Sequence, residues 1–303
     1  MAKIKFVMGL ILLLSLLGSF SPTTIAVASP DEVKWSRVNI PTEGRLGNWV
    51  LASGSDVQHL TMAIDGSLYC YAKVSGDNVL FNSNNNGRSW VETDYDGGAI
   101  TDIACSSEDA NIIYVTDSSH VYKSEDAGDS FDTVADTTLP ALSPNESIIC
   151  LNASYVNGDL YLLIGTADAD DGDFGGAYYI AETGFGANWT NLEVGDYDVY
   201  SIAGSPEFAN DFQVIAVVTD EVHTRVVNNP GTAGNWSEVA ELLNLNGNSF
   251  DIVGASNICF PSYCDDEFFV SVAGKAVKGG IYRVNQTLPT ALMMLTLILA
   301  AWT

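Results

Sequence analysis

The nine residues IACSSEDAN at positions 103–111 return as IAGSPEFAN at positions 202–210, with Ile, Ala, Ser, Glu, Ala and Asn at the same six places. A segment of similar character, IICLNASYVNGDLYLLIG at 148–165, lies between the two copies. The offset of 99 residues therefore divides into two units of about 50 residues. A repeat of this length is typical of the blades of a β-propeller.

The same pattern continues in both directions along the chain. VQHLTMAIDGSLYCYAK at 57–73 and ICFPSYCDDEFFVSVAG at 258–274 bring the number of recognisable units to five. Each unit contains alternating segments rich in Val, Ile, Tyr and Phe, which are separated by polar turns and predict β-strands. Helical periodicity is absent between residues 30 and 285. Because sheets of four short strands bury both faces when they stack radially, the sequence predicts an all-β propeller rather than a sandwich.

Two short polar stretches indicate hairpins within these units. SEDAGDSF at 124–131 and SNNNGRSW at 83–90 share the pattern Ser-x-Asp/Asn-x-Gly-x-x-aromatic, and shorter relatives end in Trp at 186–189 and 233–236. The pattern resembles the Asp-box, or BNR, repeat of the sialidase and sortilin-like propellers. That resemblance implies a structural hairpin between the outer strands of a blade. The residues concerned are Ser83, Asn85, Gly87, Trp90, Ser124, Asp126, Gly128 and Phe131.

The chemistry of the turn supports a structural interpretation of Asp126. An Asp or Asn side chain accepts hydrogen bonds from its own turn, and Gly supplies a positive φ. Asn85 stands at the place of Asp126 and has no ionisable group. We therefore expect neither residue to transfer protons.

The ends of the chain differ from the repeat region. Residues 1–28 combine Lys3, Lys5, an apolar run and the small-x-small sequence Ala26-Val27-Ala28, which predicts a cleaved secretory signal. The propeller is expected at 29–285. The apolar tail at 286–303 is open to three interpretations, which are a terminal strand or helix, a weak membrane tail, and an end that comes earlier than in natural relatives.

The segment KWSRVNIP at 34–41 resembles the last strand of a blade that bears an Asp-box, although no blade precedes it. The fifth unit, which ends near residue 285, lacks that strand. Residues 34–41 could complete the fifth blade and close the ring, which would remove an exposed sheet edge. The alternative is an open or truncated array from a larger ring.

The formal net charge of −26 excludes partners with phosphate backbones, because proteins bind these through Lys and Arg. The five cysteines are too few and too widely spaced for a disulfide framework. Cys259 and Cys264 flank a turn-like segment and are candidates for a local bridge.

The densest carboxylate group is a Gly-rich loop at 168–173. Hard cations prefer oxygen ligands, so calcium is the one cofactor we consider, although the spacing misses that of an EF-hand and a solvated acidic loop is the simpler interpretation. The candidate ligands are Asp168, Asp170, Asp171 and Asp173.

The resemblance to sialidases raises the possibility of a glycoside hydrolase. Those enzymes grip a carboxylate with three arginines and use a Tyr and acidic residues for chemistry. The chain lacks the Arg-Ile-Pro signature near its start and has only five arginines, namely Arg37, Arg45, Arg88, Arg225 and Arg283. The histidines, His59, His120 and His223, stand far apart and are interpreted as ordinary hydrogen-bonding residues.

We therefore assign no catalytic residue. The sequence favours an exported, non-catalytic propeller that binds a protein or glycan at the cell surface through its loops. A sialidase-like glycoside hydrolase is the alternative.

Overall fold

A computed structural model describes ten segments of the chain, all within the second of its two compact units, Leu51–Thr303. The segments are residues 56–74, 76–134, 142–156, 159–182, 188–244, 246–252, 254–261, 267–273, 280–285 and 293–295. The predicted signal at 1–28 and the segment at 34–41 lie outside them.

The described residues form five antiparallel sheets of four strands, and within each sheet the strands pair in chain order. The first sheet contains β1 (Asp56–Met62), β2 (Leu68–Val74), β3 (Asp77–Ser83) and β4 (Val91–Glu92). The second contains β5 (Asp102–Cys105), β6 (Ile113–Thr116), β7 (Val121–Ser124) and β8 (Asp132–Thr133). The third contains β9 (Glu146–Val156), β10 (Asp159–Asp168), β11 (Ala177–Glu182) and β12 (Thr190–Asn191). The fourth contains β13 (Asp198–Gly204), β14 (Val214–Thr219), β15 (Thr224–Asn229) and β16 (Ser237–Glu241). The fifth contains β17 (Ser256–Cys259), β18 (Glu267–Val272), β19 (Gly280–Asn285) and β20 (Met293–Leu295).

This architecture confirms the prediction of an all-β propeller with five blades. The repeated sequence motif contributes the first strand of each sheet, as in β5 and β13. First strands of successive sheets contact one another from β1 through β5, β9 and β13 to β17. They therefore line the centre, and the later strands of each sheet lie further out.

Four apolar clusters built from described residues fill the junctions between consecutive sheets. Ile113 lies between the first and second sheets, Leu162 between the second and third, Leu163 between the third and fourth, and Phe268 between the fourth and fifth. Leu162 and Leu163 are neighbours on β10, so the two-residue period of a strand sends successive side chains into two different junctions. This explains why the middle strands are apolar throughout.

The junction between the fifth and first sheets has no such cluster among the described residues. On β1, Leu60 and Met62 are 62% and 65% exposed. Among the described residues, the apolar packing of the other four junctions is therefore not repeated between the fifth and first sheets.

The fourth strand of the fifth sheet comes from the C-terminal tail. β20 pairs with β19, with Leu295 opposite Ile281 and Met293 opposite Arg283. Residues 34–41, one candidate for this place, lie outside the described residues, and the strand beside β19 is a terminal strand, which was one of the three interpretations of the tail. An outer strand contributes mainly backbone hydrogen bonds, so many short segments satisfy β19 equally well.

A one-turn helix, α1 (Phe208–Asp211), connects β13 to β14 and departs from the helix-free pattern. Its first residue, Phe208, is buried between the third and fourth sheets. Among the described residues, no helix has the length and apolar character required to cross a membrane.

Candidate functional site

A cavity of about 610 Å³ lies among the five first strands. Small-molecule sites commonly have volumes of about 300–1,000 Å³. We call this space the axial cavity, and it is lined by Gln58, His59, Leu60, Thr61, Thr101, Asp102, Ile103, Ile149, Cys150, Tyr200, Gly254, Ala255, Ser256 and Asn257.

Asp102, the first residue of β5, is the carboxylate of the axial cavity. Its Oδ1 accepts a hydrogen bond from the N–H of Ile103 at 2.8 Å, and its Oδ2 accepts one from the N–H of Leu151 at 2.9 Å. The second bond ties the second sheet to β9 of the third. The side chain remains 31% exposed. Burial raises the pKa of Asp102 to about 6, although the two N–H donors favour the ionised form.

His59 approaches Asp102 from β1. Its Nδ1 lies 3.9 Å from Oδ1 of Asp102, which is too long for a hydrogen bond. Burial lowers the pKa of His59, so the imidazole is neutral at pH 7. The ionised Asp102 therefore has no protonated partner there.

The remaining polar groups of the axial cavity are uncharged. Gln58 and Asn257 contribute carboxamides from β1 and β17. Burial raises the pKa of the Tyr200 hydroxyl and of the Cys150 thiol, so both stay protonated. This set of groups can donate and accept hydrogen bonds, and the part of the lining that the structure describes includes no Lys or Arg.

The predicted hairpin at 124–131 lies between β7 and β8, with Asp126 at its centre. Oδ1 of Asp126 accepts hydrogen bonds from Ser124 Oγ at 2.8 Å and from the N–H of Ser130 at 2.9 Å, and Oδ2 accepts one from Ser130 Oγ at 2.6 Å. These bonds lower the pKa of Asp126, with the Ser130 hydroxyl contributing most. Ser124 Oγ accepts a further bond from the N–H of Gly128. The carboxylate therefore holds its own turn.

The hairpin at 83–90 repeats this geometry with an amide. Oδ1 of Asn85 accepts hydrogen bonds from Ser83 Oγ at 3.1 Å and from the N–H of Ser89 at 2.9 Å. Its Nδ2 donates to Ser89 Oγ at 2.7 Å. Ser83 Oγ also accepts from the N–H of Gly87. An ionisable group is not required for the arrangement.

The aromatic residues that end the hairpins pack between sheets. Phe131 packs against the cluster between the first and second sheets and makes an edge contact with Tyr95 at 5.3 Å. Trp189 packs between the second and third sheets. Trp236 packs between the third and fourth sheets and donates from Nε1 to the carbonyl of Leu192 at 2.9 Å. Each aromatic side chain thus contacts the preceding sheet.

The predicted calcium loop follows β10. Asp168 accepts a hydrogen bond from the Ser143 hydroxyl, which lowers its pKa, and Asp170 accepts one from Asn145 Nδ2 at 2.6 Å. The loop backbone also donates from Gly172 to the carboxylate of Glu221. Over the described ranges, no group of three or more His, Cys, Asp or Glu side chains is arranged to hold a metal ion. Calcium binding by Asp168, Asp170, Asp171 and Asp173 stays a prediction.

The described arginines lie away from the axial cavity. Arg225 on β15 pairs with Asp220 at 2.6 Å, and Arg283 on β19 pairs with Glu267 at 2.7 Å. Arg88 lies in the hairpin at 83–90, while Arg37 and Arg45 fall outside the described residues. The three described arginines do not assemble the carboxylate grip of a sialidase.

The other two histidines have local roles. Nδ1 of His223 lies 3.1 Å from Asp220, and Nδ1 of His120 lies 3.4 Å from Asp117. Both histidines occupy turns between the second and third strands of their sheets. Cys259 is a free thiol, and Cys264 lies outside the described residues.

Sequence reasoning missed Asp102 and the proximity of His59. A usable signal exists, because the first strands of four successive sheets each begin with an acidic residue. These residues are Asp56, Asp102, Glu146 and Asp198. Aligning the repeats on this position would have placed Asp102 at the inner end of its blade.

Comparison with known proteins identifies the domain type. A family model described as the DUF6242 beta propeller domain matches residues 21–217. No curated protein matches the chain.

Solved structures resemble the chain at low sequence identity. The GH74 xyloglucanase from Xanthomonas campestris aligns with a TM-score of 0.53 at 14% identity over 76% of this chain and 36% of its own, so the chain spans about a third of that enzyme. A chain of a nidogen/laminin complex aligns with a TM-score of 0.51 at 14% identity over 78% of each chain. The α-L-arabinofuranosidase Arb93A from Fusarium graminearum, in complex with an iminosugar inhibitor, aligns with a TM-score of 0.51 at 13% identity over 79% of each chain. At these identities the likeness concerns the fold alone.

Proposed function

The chain belongs to the DUF6242 β-propeller family, and from that premise we propose that it is an exported, non-catalytic propeller that binds a protein or glycan at the cell surface. Binding uses the loops that connect the strands, together with the mouth of the axial cavity. Loops on a rigid scaffold commonly carry function. Nucleic acid is not among the proposed partners, because the net charge is −26.

The observation that carries this proposal is the lining of the axial cavity. Glycoside hydrolysis commonly requires two carboxyl groups on either side of the scissile bond. Among the described residues that line the cavity, Asp102 is the only carboxylate, and both of its oxygens accept hydrogen bonds from backbone N–H groups. Such a lining is suited to binding, and its described residues offer no second carboxyl group.

Export is proposed from residues 1–28, whose pattern is that of a cleaved secretory signal. The two hairpins are proposed to be Asp-box repeats, and the matching hydrogen bonds around Asp126 and Asn85 support this assignment. Their role is to fix the outer strands of the blades, so they are not part of the binding site.

A glycoside hydrolase is the second candidate, and one observation favours it. The pKa of Asp102 is raised to about 6 by burial, as in carboxyl groups that act as general acids. A second acid would then have to come from outside the described lining residues.

The two candidates are separated by one experiment on the purified protein. Fluorescently labelled protein is incubated with intact cells of the source organism, and separately with xyloglucan and arabinan. If the protein is a non-catalytic binding protein, it should attach to the cells saturably and release no reducing sugar from either polysaccharide. Sugar release that disappears in Asp102→Asn would establish the hydrolase, and absence of saturable attachment would contradict the binding proposal.

A further inference from the structure

The axial cavity contains a negative charge without a counter-charge. Asp102 faces the cavity, and the nearest basic group among the described residues, His59, is 3.9 Å away. Burial lowers the pKa of His59, so this imidazole is neutral at pH 7. No Lys or Arg is among the described residues that line the cavity. The two backbone N–H donors and partial exposure lower the cost of placing this carboxylate in the cavity, but among the described residues no cationic side chain neutralises it.

We infer that the axial cavity is a receptor for a cationic group, an alkylammonium or guanidinium of the size of a lysine or arginine side chain, with Asp102 as its counter-ion. The inference deepens the proposed function, on which it rests for the existence of a partner, because it makes that partner basic. The ligand chemistry itself can be tested without the partner.

The composition of the lining supports a cation over an anion. An anion would meet the carboxylate of Asp102, and no Lys or Arg in the described lining would offset the repulsion. An ammonium or guanidinium group would donate charge-assisted hydrogen bonds to the carboxylate of Asp102. The side-chain carbonyls of Gln58 and Asn257 and the Tyr200 hydroxyl offer further oxygen acceptors.

The net charge of the whole protein also favours a cationic ligand over an anionic one. The formal net charge is −26, and a cleft with low-dielectric walls focuses the field of the surrounding charges. The field therefore concentrates cations at the mouth of the cavity, and added salt should weaken this effect.

Binding should depend on pH through the groups that surround Asp102. These are His59 on β1, Cys150 on β9 and Tyr200 on β13, while β17 contributes uncharged Ser256 and Asn257 to the lining. Burial raises the pKa values of Cys150 and Tyr200, so neither ionises between pH 5 and pH 7.5. Protonation of Asp102 below about pH 6 removes the counter-ion, and protonation of His59 adds a competing cation. Both changes weaken cation binding as the pH falls.

Isothermal titration calorimetry with three probes of similar size tests the inference. n-Butylamine, which is protonated at pH 7.5, is compared with the neutral 1-pentanol and the anionic butyrate. The ammonium probe should bind at least tenfold more tightly than either of the others. A peptide with a central lysine, compared with the same peptide carrying norleucine, shows whether the cavity also accepts the cation on a polypeptide.

Asp102→Asn should weaken n-butylamine binding by about tenfold or more. The matched control is Asp198→Asn, because Asp198 begins β13, faces Thr219 across the sheet as Asp102 faces Thr116, and does not line the cavity. The control should keep the wild-type affinity. If Asp102→Asn does not fold, the wild-type affinity for n-butylamine should still fall by about tenfold between pH 7.5 and pH 5, given a pKa of about 6.

Equal affinity for n-butylamine and 1-pentanol would overturn the inference, as would an affinity unchanged in Asp102→Asn or unaffected by pH. Absence of any binding by the small probes would also overturn it. Failure of the protein to attach to cells, with tight n-butylamine binding retained, would instead remove the proposed partner and leave the cation site standing.

Discussion

Replacing Gly128 by Ala should destabilise the protein far more than replacing Gly87 by Ala, although both glycines occupy the same place in their hairpins. Both have positive φ, +99° at Gly128 and +75° at Gly87, where an L side chain is strained. Each substitution therefore costs about 1–2 kcal/mol of backbone strain. This shared cost makes Gly87→Ala a matched control.

The two positions differ in what the new methyl group meets. At Gly128 the added Cβ would lie 2.7 Å from Cγ2 of Thr93, just after β4 of the first sheet. At Gly87 the nearest atoms, in Trp90 and Leu68, lie at 3.5 and 3.6 Å, which is ordinary contact. Overpacking of this kind costs about 1–3 kcal/mol. We expect a loss of about 2–5 kcal/mol for Gly128→Ala and about 1–2 kcal/mol for Gly87→Ala.

Thermal and denaturant unfolding followed by circular dichroism measure the difference. The melting temperature of Gly128→Ala should lie roughly 2–12 °C below that of Gly87→Ala, at about 2–4 °C per kcal/mol for a domain of this size. Thr93→Ser removes Cγ2 and keeps the hydroxyl that donates to the carbonyl of Leu80 at 3.1 Å.

The double variant with Thr93→Ser and Gly128→Ala should therefore recover most of the extra loss, as a favourable coupling of about 1–3 kcal/mol. Equal losses of unfolding free energy in the two single variants, or no recovery in the double variant, would refute the packing of the hairpin at 124–131 against the first sheet. That packing also includes the hydrogen bond from the N–H of Asp94 to the carbonyl of Gly128 at 2.9 Å.

Three further predictions concern single side chains. Asp126→Asn should melt close to the wild type, because Asn85 already accepts the corresponding hydrogen bonds in its own turn. Asp126→Ala should melt several degrees lower. Similar melting temperatures of the two variants would contradict a role of these hydrogen bonds in stability. The folded-state pKa of Asp102, about 6, lies above the ordinary value, so this residue stabilises the fold below about pH 4 and its contribution is lost as the pH rises through 6. The melting temperature of Asp102→Asn, measured relative to the wild type, should therefore be higher at pH 7 than at pH 4. A difference in melting temperature that does not change with pH would exclude the raised pKa. Phe250→Ala should cost about 3–5 kcal/mol in urea unfolding, because Phe250 is 2% exposed and stacks on Tyr282, while Val91→Ala, at a position 69% exposed, should cost under about 0.5 kcal/mol.

The parts of the fold that depend on short-range chemistry could be predicted from the sequence. The five first strands follow from a repeated apolar pattern, and the hairpins follow from Asn, Asp and Gly at fixed places in a turn. Asn85 and Asp126 each accept a backbone hydrogen bond within their own turn. In both cases the deciding contacts lie within a few residues of one another.

The parts of the fold and of the candidate site in which residues far apart in the sequence come together could not be predicted. His59, Asp102 and Asn257 come together only because their strands surround one cavity, and nothing near each residue indicates the others. The sequence offered residues 34–41 as one candidate for the fourth strand of the fifth sheet because of their Trp, whereas β19 pairs with Met293–Leu295. An outer strand is selected by backbone pairing and leaves little trace in the choice of side chains.

A titration of Asp102 tests directly whether this carboxylate is the counter-ion of a cation in the axial cavity. Its carboxyl carbon can be followed by ¹³C nuclear magnetic resonance from pH 3 to pH 8, with Asp102→Asn used to assign the signal. We expect a pKa of about 6 for Asp102 in the free protein, and a shift toward the ordinary value of about 3.9 when n-butylamine saturates the cavity. A pKa near 3.9 in the free protein, or a pKa of about 6 that n-butylamine leaves unchanged, would contradict the role of Asp102 as the counter-ion of a cation in the axial cavity.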